Sequence, residues 1–238
     1  NKDRLLVGVN YPLLDLENEI KECDNWSLKL KDIELKTDTK DEYLKTLAFA
    51  RIIGWLITDG HISHKNEGRV YLGHQLDVKQ FLQDLNLFCF KENVCKEKHC
   101  FTIQIPQKFM NNILTLDGLM IGNKCLQESK LPSFVFDLPT PILREFFGGM
   151  FGGDGHTCYL GLHRGKRDLL SSIGFSKSKE KQYLDSHLKM MNDIKNLLLL
   201  KFDIKEVTIQ KPKLTTSSKG NDKNLYEVVL HLSINELI

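Results

Sequence analysis

The chain has 238 residues, 41% of them apolar and 27% charged, with a formal net charge of +2. It can bury one large core or two small ones, and it is too apolar for intrinsic disorder and too balanced for bulk charge to announce a nucleic-acid partner. No apolar run reaches membrane-spanning length and no signal peptide is present, so neither a membrane protein nor a secreted one is expected. Cys23, Cys89, Cys95, Cys100, Cys125 and Cys158 form no paired framework. Neither Cys95, His99 and Cys100 nor His61 and His64 have the paired Cys-x-x-Cys spacing of a zinc module. The expectation is a reduced, intracellular protein.

Residues 1–38 hold many acids (Asp15, Glu17, Glu19, Glu22, Asp24, Asp32, Glu34, Asp38) and turn signals at Tyr11-Pro12 and Asp24-Asn25. They read as an N-terminal extension or the remnant of a host lobe, and the Asn1 start suggests an excised segment. A helix-length apolar run then ends in Ile52-Ile53-Gly54-Trp55-Leu56-Ile57-Thr58-Asp59-Gly60. A hairpin over about Arg69 to Leu76 comes next, then a helix opening at Asp77-Val78-Lys79-Gln80-Phe81-Leu82. Beyond it lie a half-buried strand from Cys100 to Ile105 and a helix opened by Pro106.

The series then repeats. Phe147-Gly148-Gly149-Met150-Phe151-Gly152-Gly153-Asp154-Gly155 is a second apolar run closing in Asp-Gly, with its aspartate 154 − 59 = 95 residues after the first. A longer hairpin region from Thr157 to Ser176 precedes a helix opening at Asp193-Ile194-Lys195-Asn196-Leu197-Leu198. Lys211 to Asn224 is a polar exposed loop, and Tyr226 to Ile234 is a strand with Tyr226, Val228, Leu230, Leu232 and Ile234 on one face. Asn235 to Ile238 only begins the counterpart of the Pro106 helix. Residues 39–138 and 139–238 thus read as two αββαββα-type halves, the second lacking its last helix. Basic residues gather after the second run, including Arg164, Lys166, Arg167, Lys177 and Lys179, and mark that half as the phosphate-contact surface.

An aspartate in the last turn of a helix faces the negative end of the macrodipole, so its charge calls for a cation. Gly60 and Gly155 stand where a helix takes a left-handed residue to stop. Gly54 and the Gly148-Gly149 pair allow two such helices to approach backbone to backbone, bringing Asp59 and Asp154 together. Two carboxylates about 5 Å apart repel by roughly 3 kcal/mol at an effective dielectric near 20, which a divalent metal relieves.

The paired runs resemble the LAGLIDADG homing endonucleases, specifically the single-chain type with two motif copies found inside inteins and introns. Trp55, Ile57, Phe147, Gly148, Met150, Phe151 and Gly152 depart from the consensus letters, while the closing Asp-Gly is intact in both copies. The resemblance implies an α+β fold with pseudo-two-fold symmetry. The motif helices lie at its centre, and two curved antiparallel sheets form a saddle in consecutive major grooves of double-stranded DNA. It further implies a monomer that hydrolyses one phosphodiester per strand across the minor groove, leaving short 3′ overhangs, with a host intein splicing lobe as a possible partner.

By the same resemblance Asp59 and Asp154 bind Mg2+ together with the backbone carbonyls of Thr58 and Gly153. Mn2+ substitutes, and Ca2+ supports binding alone. Lys130, in Lys130-Leu131-Pro132, is the expected catalytic lysine, with Lys124 as the fallback and a second-half partner expected beyond Ile238. His61 and His156, which extend both motifs to Asp-Gly-His, are second-rank candidates. Expected base readers are Thr102, Gln104, Glu227 and His231, with Gln75 and Lys177 near the hairpin ends. Three alternatives stand beside this reading: an RNA-splicing maturase, a decayed copy that binds DNA without cutting, and one part of an intein. For the last, Asn1 and the Leu237-Ile238 end supply no splicing nucleophile.

Overall fold

A computed structural model describes residues 15–90, 94–96, 100–156, 160–163, 166–170, 173–215 and 225–232. The acid-rich start packs against later parts of the chain. Helix α1 (Leu16–Glu22) is capped by Asp15, whose carboxylate accepts from the Asn18 amide. Strands β1 (Ser27–Lys29) and β2 (Glu34–Lys36) form an antiparallel hairpin. Cys23, Leu30 and Leu35 enter the same apolar core as the helices beyond them.

The first motif lies on α2 (Lys40–Ile57), which Thr39 caps by accepting from the Glu42 amide and donating to the Glu42 carboxylate. Strands β3 (Gly60–Ile62) and β4 (Gly68–Leu72) come next, then α3 (Gln75–Asn86), β5 (Val94–Lys96), β6 (Phe101–Ile105) and α4 (Gln107–Ile113). Helix α3 starts two residues before the expected Asp77, because His74 caps it through Nδ1, which accepts from the Leu76 amide. Gln75 and Leu76 therefore belong to a helix, and the hairpin is β3 with β4.

The second motif lies on α5 (Thr140–Asp154), with Pro141 in its first turn. Then come β7 (Gly155–His156), β8 (Leu160–His163), β9 (Lys166–Leu170), β10 (Ile173–Glu180), α6 (Leu184–Phe202), β11 (Val207–Ile209), β12 (Lys213–Leu214) and β13 (Leu225–Leu232). Helix α6 begins well before Asp193 and stops at Asp203, whose φ of 51° is left-handed. The expected final helix, Ile234 and the loop tip at 216–224 lie outside the described residues.

The sheets repeat one topology. The first runs β3-β4-β6-β5 and the second β7-β10-β13-β11, with β12 added beside β13, all antiparallel. The second half adds a ribbon, β8 with β9. Val70, Ile103 and Phe109 from one half and Phe175, Ile194, Val228 and Leu230 from the other join the motif helices in one core. The fold is therefore α+β, built on antiparallel sheets in two like halves.

Helices α2 and α5 pack without side chains at their closest approach. A Cβ on Gly54 would fall on the Phe146 carbonyl and 2.8 Å from the Met150 amide, and one on Gly149 would fall on the Arg51 carbonyl. Gly148, expected to share this role, is exposed and faces open space. Gly152 and Gly153 make room instead, for the Trp55 ring and the Thr58 side chain. At Gly155 the backbone is extended (φ −88°), and Gly60 is not among the positive-φ glycines. Glycine is required there because a Cβ would strike the preceding turn, at Phe151 for Gly155 and at Leu56 for Gly60.

Candidate metal and phosphodiester site

The two aspartates leave their helices differently. Asp154 is the last residue of α5, whereas Asp59 lies two residues past the end of α2, after Thr58. They remain electrostatic neighbours: burial and, next, the Asp154 charge push the Asp59 carboxyl above its usual range, opposed by Lys124 and Lys177.

Lysines fill the space around them. Lys124 Nζ donates to the carbonyls of Leu56 (2.8 Å), Ile57 (2.9 Å) and Thr58 (2.8 Å), using all three of its protons on the C-terminal end of α2. Burial first, then the Lys177 charge, brings its pKa down to about 7. Lys177 Nζ donates to the Ile57 carbonyl at 2.9 Å and pairs with Asp154 Oδ2 at 2.6 Å, tying together the ends of both motif helices.

Lys179 is fully buried. Its Nζ donates to the carbonyls of Lys124 and Gln127 and lies 3.5 Å from Met120 Sδ, so it fixes the turn that carries Lys124. Burial holds its pKa at about 8. Beside this layer His187 is buried, and burial followed by the Lys179 and Lys177 charges lowers its pKa to about 3.

Several expected roles change on this geometry. Lys130 turns away: its side chain is 62% exposed and its Nζ pairs with Asp117 at 2.9 Å, on a turn that Ser133 also braces. Lys124, the fallback, is the lysine that lies at the end of α2 as an electrostatic neighbour of Asp59. Lys177 and Lys179, expected on the DNA surface, are instead enclosed, because an ammonium at the carbonyl ends of a helix and a turn satisfies acceptors that would otherwise be unpaired. Thr102 is 8% exposed and so is covered, while Gln104 two residues on is exposed.

Gln75 is exposed at the start of α3. Arg164 lies outside the described residues, and Lys166 and Arg167 open β9. Glu227 lies opposite Ser178 and Lys213. In the first sheet a cross-strand row away from the core joins His61, Arg69 and Gln104. The matching row of the second sheet joins His156, Gly174, His231 and Thr208.

Sequence reasoning missed Arg69, although its alternation with Val70 and Leu72 held the signal. It also missed the enclosure of Lys177 and Lys179. Both continue the face of β10 that carries the buried Phe175, but a lysine ordinarily signals solvent and masked that alternation.

Two carboxylates with nearby backbone carbonyls form an oxygen donor set suited to a hard divalent cation. Asp59, Asp154 and the Thr58 and Gly153 carbonyls are donors of that class, and burial first, then the Asp154 charge, raises the Asp59 carboxyl against the opposing Lys124 and Lys177. The Thr58 carbonyl is engaged by Lys124 and Asp154 by Lys177. Among the described residues no group of three or more His, Cys, Asp and Glu side chains gathers as a metal centre, so any ion here rests on two carboxylates.

No protein-family model matches the chain. Among curated proteins it is similar to the replication factor C small subunit of Methanocaldococcus jannaschii, at 25% identity over 94% of this chain and 12% of that protein. It is also similar to the tRNA-splicing ligase RtcB of the same organism, at 25% identity over 84% of this chain and 23% of that protein. The chain thus spans less than a quarter of either relative's length. Similar solved structures include the homing endonuclease I-DmoI (TM-score 0.42, 13% identity, 82% of this chain and 92% of that one). Another is the N-terminal LAGLIDADG domain of DUF199/WhiA (TM-score 0.42, 12% identity, 84% and 86%). Superpositions this loose fix neither a family nor an activity.

Proposed function

We propose that the chain is a site-specific endodeoxyribonuclease of the LAGLIDADG homing type, acting as a monomer on double-stranded DNA with Mg2+. The observation that carries this reading is the convergence of Asp59 and Asp154 at the ends of two glycine-packed helices, with Lys124 and Lys177 beside them. A bound divalent ion there supplies a water of lowered pKa and neutralises charge on the attacking and leaving oxygens. The residues of the chain do the rest. The carboxylates hold and orient the ion, and the sheets, through rows such as His61-Arg69-Gln104, position the duplex. Lys124, an ammonium held on the α2 carbonyls beside Asp59, places positive charge near the phosphate.

The relatives support an inserted element. A replication protein and an RNA ligase share with this chain only a small part of their length, as a segment carried in unrelated hosts would. Their named activities are therefore not transferred to this chain, and a shared segment of this kind is expected of an intein-borne endonuclease.

The test is incubation with a randomised linear DNA library in Mg2+, beside Asp59→Asn and Asp154→Asn, with a Ca2+ lane. Short 3′ overhangs at one long recurrent site, lost in both variants, are expected. Retention of one DNA sequence in Ca2+ with no cut ends would instead make the protein a DNA binder.

A further inference from the structure

The cross-strand row of the second sheet holds a feature that its first-half counterpart lacks. His156 on β7 and His231 on β13 flank the same residue of β10, Gly174, on its two sides. Non-adjacent strands lie nearly 10 Å apart, yet the two imidazole centroids are 6.0 Å apart, at 72° to each other. The rings lean over the glycine to meet. A Cβ on Gly174 would collide with the His156 ring, its nearest neighbours being Cε1 and the two ring nitrogens. In the first half Arg69 stands between His61 and Gln104, and no such meeting occurs.

We propose that His156 and His231 form a two-imidazole site for a borderline divalent transition ion of the Zn2+, Ni2+ or Cu2+ class, separate from the hard-cation site at Asp59 and Asp154. Imidazole selects these ions over Mg2+. Two Zn–N bonds of about 2.0–2.1 Å at a tetrahedral angle set the ligand nitrogens roughly 3.3 Å apart, a separation open to rings with centroids 6.0 Å apart once side-chain rotation turns the T-shaped pair edge to edge. Water completes the coordination. The site faces away from the core, where an ion occupies part of the surface that the sheet offers to a partner.

The test is a Ni2+ titration of the full chain in excess Mg2+, which keeps the carboxylates occupied, followed through histidine imidazole NMR signals. His156 and His231 are expected to broaden first and together, while His61 and His74 stay sharp. His231→Ala should raise the Ni2+ needed to broaden His156 by about tenfold or more. The wild-type titration stands even if that variant folds poorly. Broadening that begins at His61 or His74, or a His156 response that His231→Ala leaves unchanged, would overturn the site.

Discussion

Lys124 and Lys130 lie six positions apart and have opposite fates, which makes them a sharp experimental pair. Lys124→Met removes three donors from the α2 carbonyl end, leaving only Lys177 at Ile57, together with the group beside Asp59. Cleavage should fall by a factor of about 10² or more, read as single-turnover rate on a defined target. Lys130→Met removes one exposed ion pair with Asp117, so stability should change by no more than about 1 kcal/mol and cleavage should be unaffected. Equal losses in both variants would undo the assignment.

His187 gives a pH dependence with a definite sign. Its pKa is about 3 in the folded chain against 6.5 for the free side chain, so between those values the unfolded chain binds the extra proton. Stability from this residue is complete above pH 6.5 and declines as pH falls toward 3, at a limiting slope of roughly 1.4 kcal/mol per pH unit. In urea titrations His187→Leu should show a shallower loss than wild type from pH 6.5 to 4.5, and parallel curves would refute it.

Among the elements, the contact of α2 with α5 decides the geometry of the site, and its glycines are not equivalent. Gly149→Ala drives a methyl into the Arg51 carbonyl and should cost about 1–3 kcal/mol or more, with cleavage lost as the aspartates separate. Gly148→Ala meets open space and should stabilise the helix by about 0.5–1 kcal/mol. Thermal melts of the two variants should move in opposite directions.

This contact was largely readable in the sequence, because a small residue inside an apolar helix followed by Asp-Gly constrains spacing and helix end together. Which of Gly148 and Gly149 faces the partner was not readable, since it depends on a rotation of about 100° that apolar neighbours on both sides do not specify. The lysines were misplaced for a related reason. Lysine ordinarily signals solvent, and only the assembled carbonyl ends of α2 and of the 124–127 turn create acceptors that draw Lys124, Lys177 and Lys179 inward.

Across the whole molecule, an ion-pair chain anchors the first described residues. Arg144 donates to Glu19, which also accepts from the Tyr43 hydroxyl at 2.6 Å. Arg144 pairs with Glu145, and Arg51 bridges Glu145 to Asp84. Three helices, α1, α2 and α5, are thereby joined to α3. Composition alone set residues 15–38 apart, but their apolar side chains belong to the common core. Arg144→Leu leaves Glu19 half-buried with fewer partners, so amide exchange in residues 16–23 should accelerate ahead of that in α2, whereas uniform acceleration would mean only global destabilisation.

The glycine contact between the motif helices also carries history. Gly54 lies on Phe146 and Gly149 on Arg51, and 149 − 54 and 146 − 51 both equal 95, the interval between the aspartates. Each half touches the other with the same patch, the reciprocal pattern of an isologous dimer, here preserved within one covalent chain. A fused dimer is released from the rule that both copies be identical. Arg51 and Phe146 occupy equivalent places with unrelated side chains, and Arg69 of the first sheet has Gly174 as its counterpart in the second. Each half is thereby free to diverge toward its own ligand while the shared contact keeps the two in register.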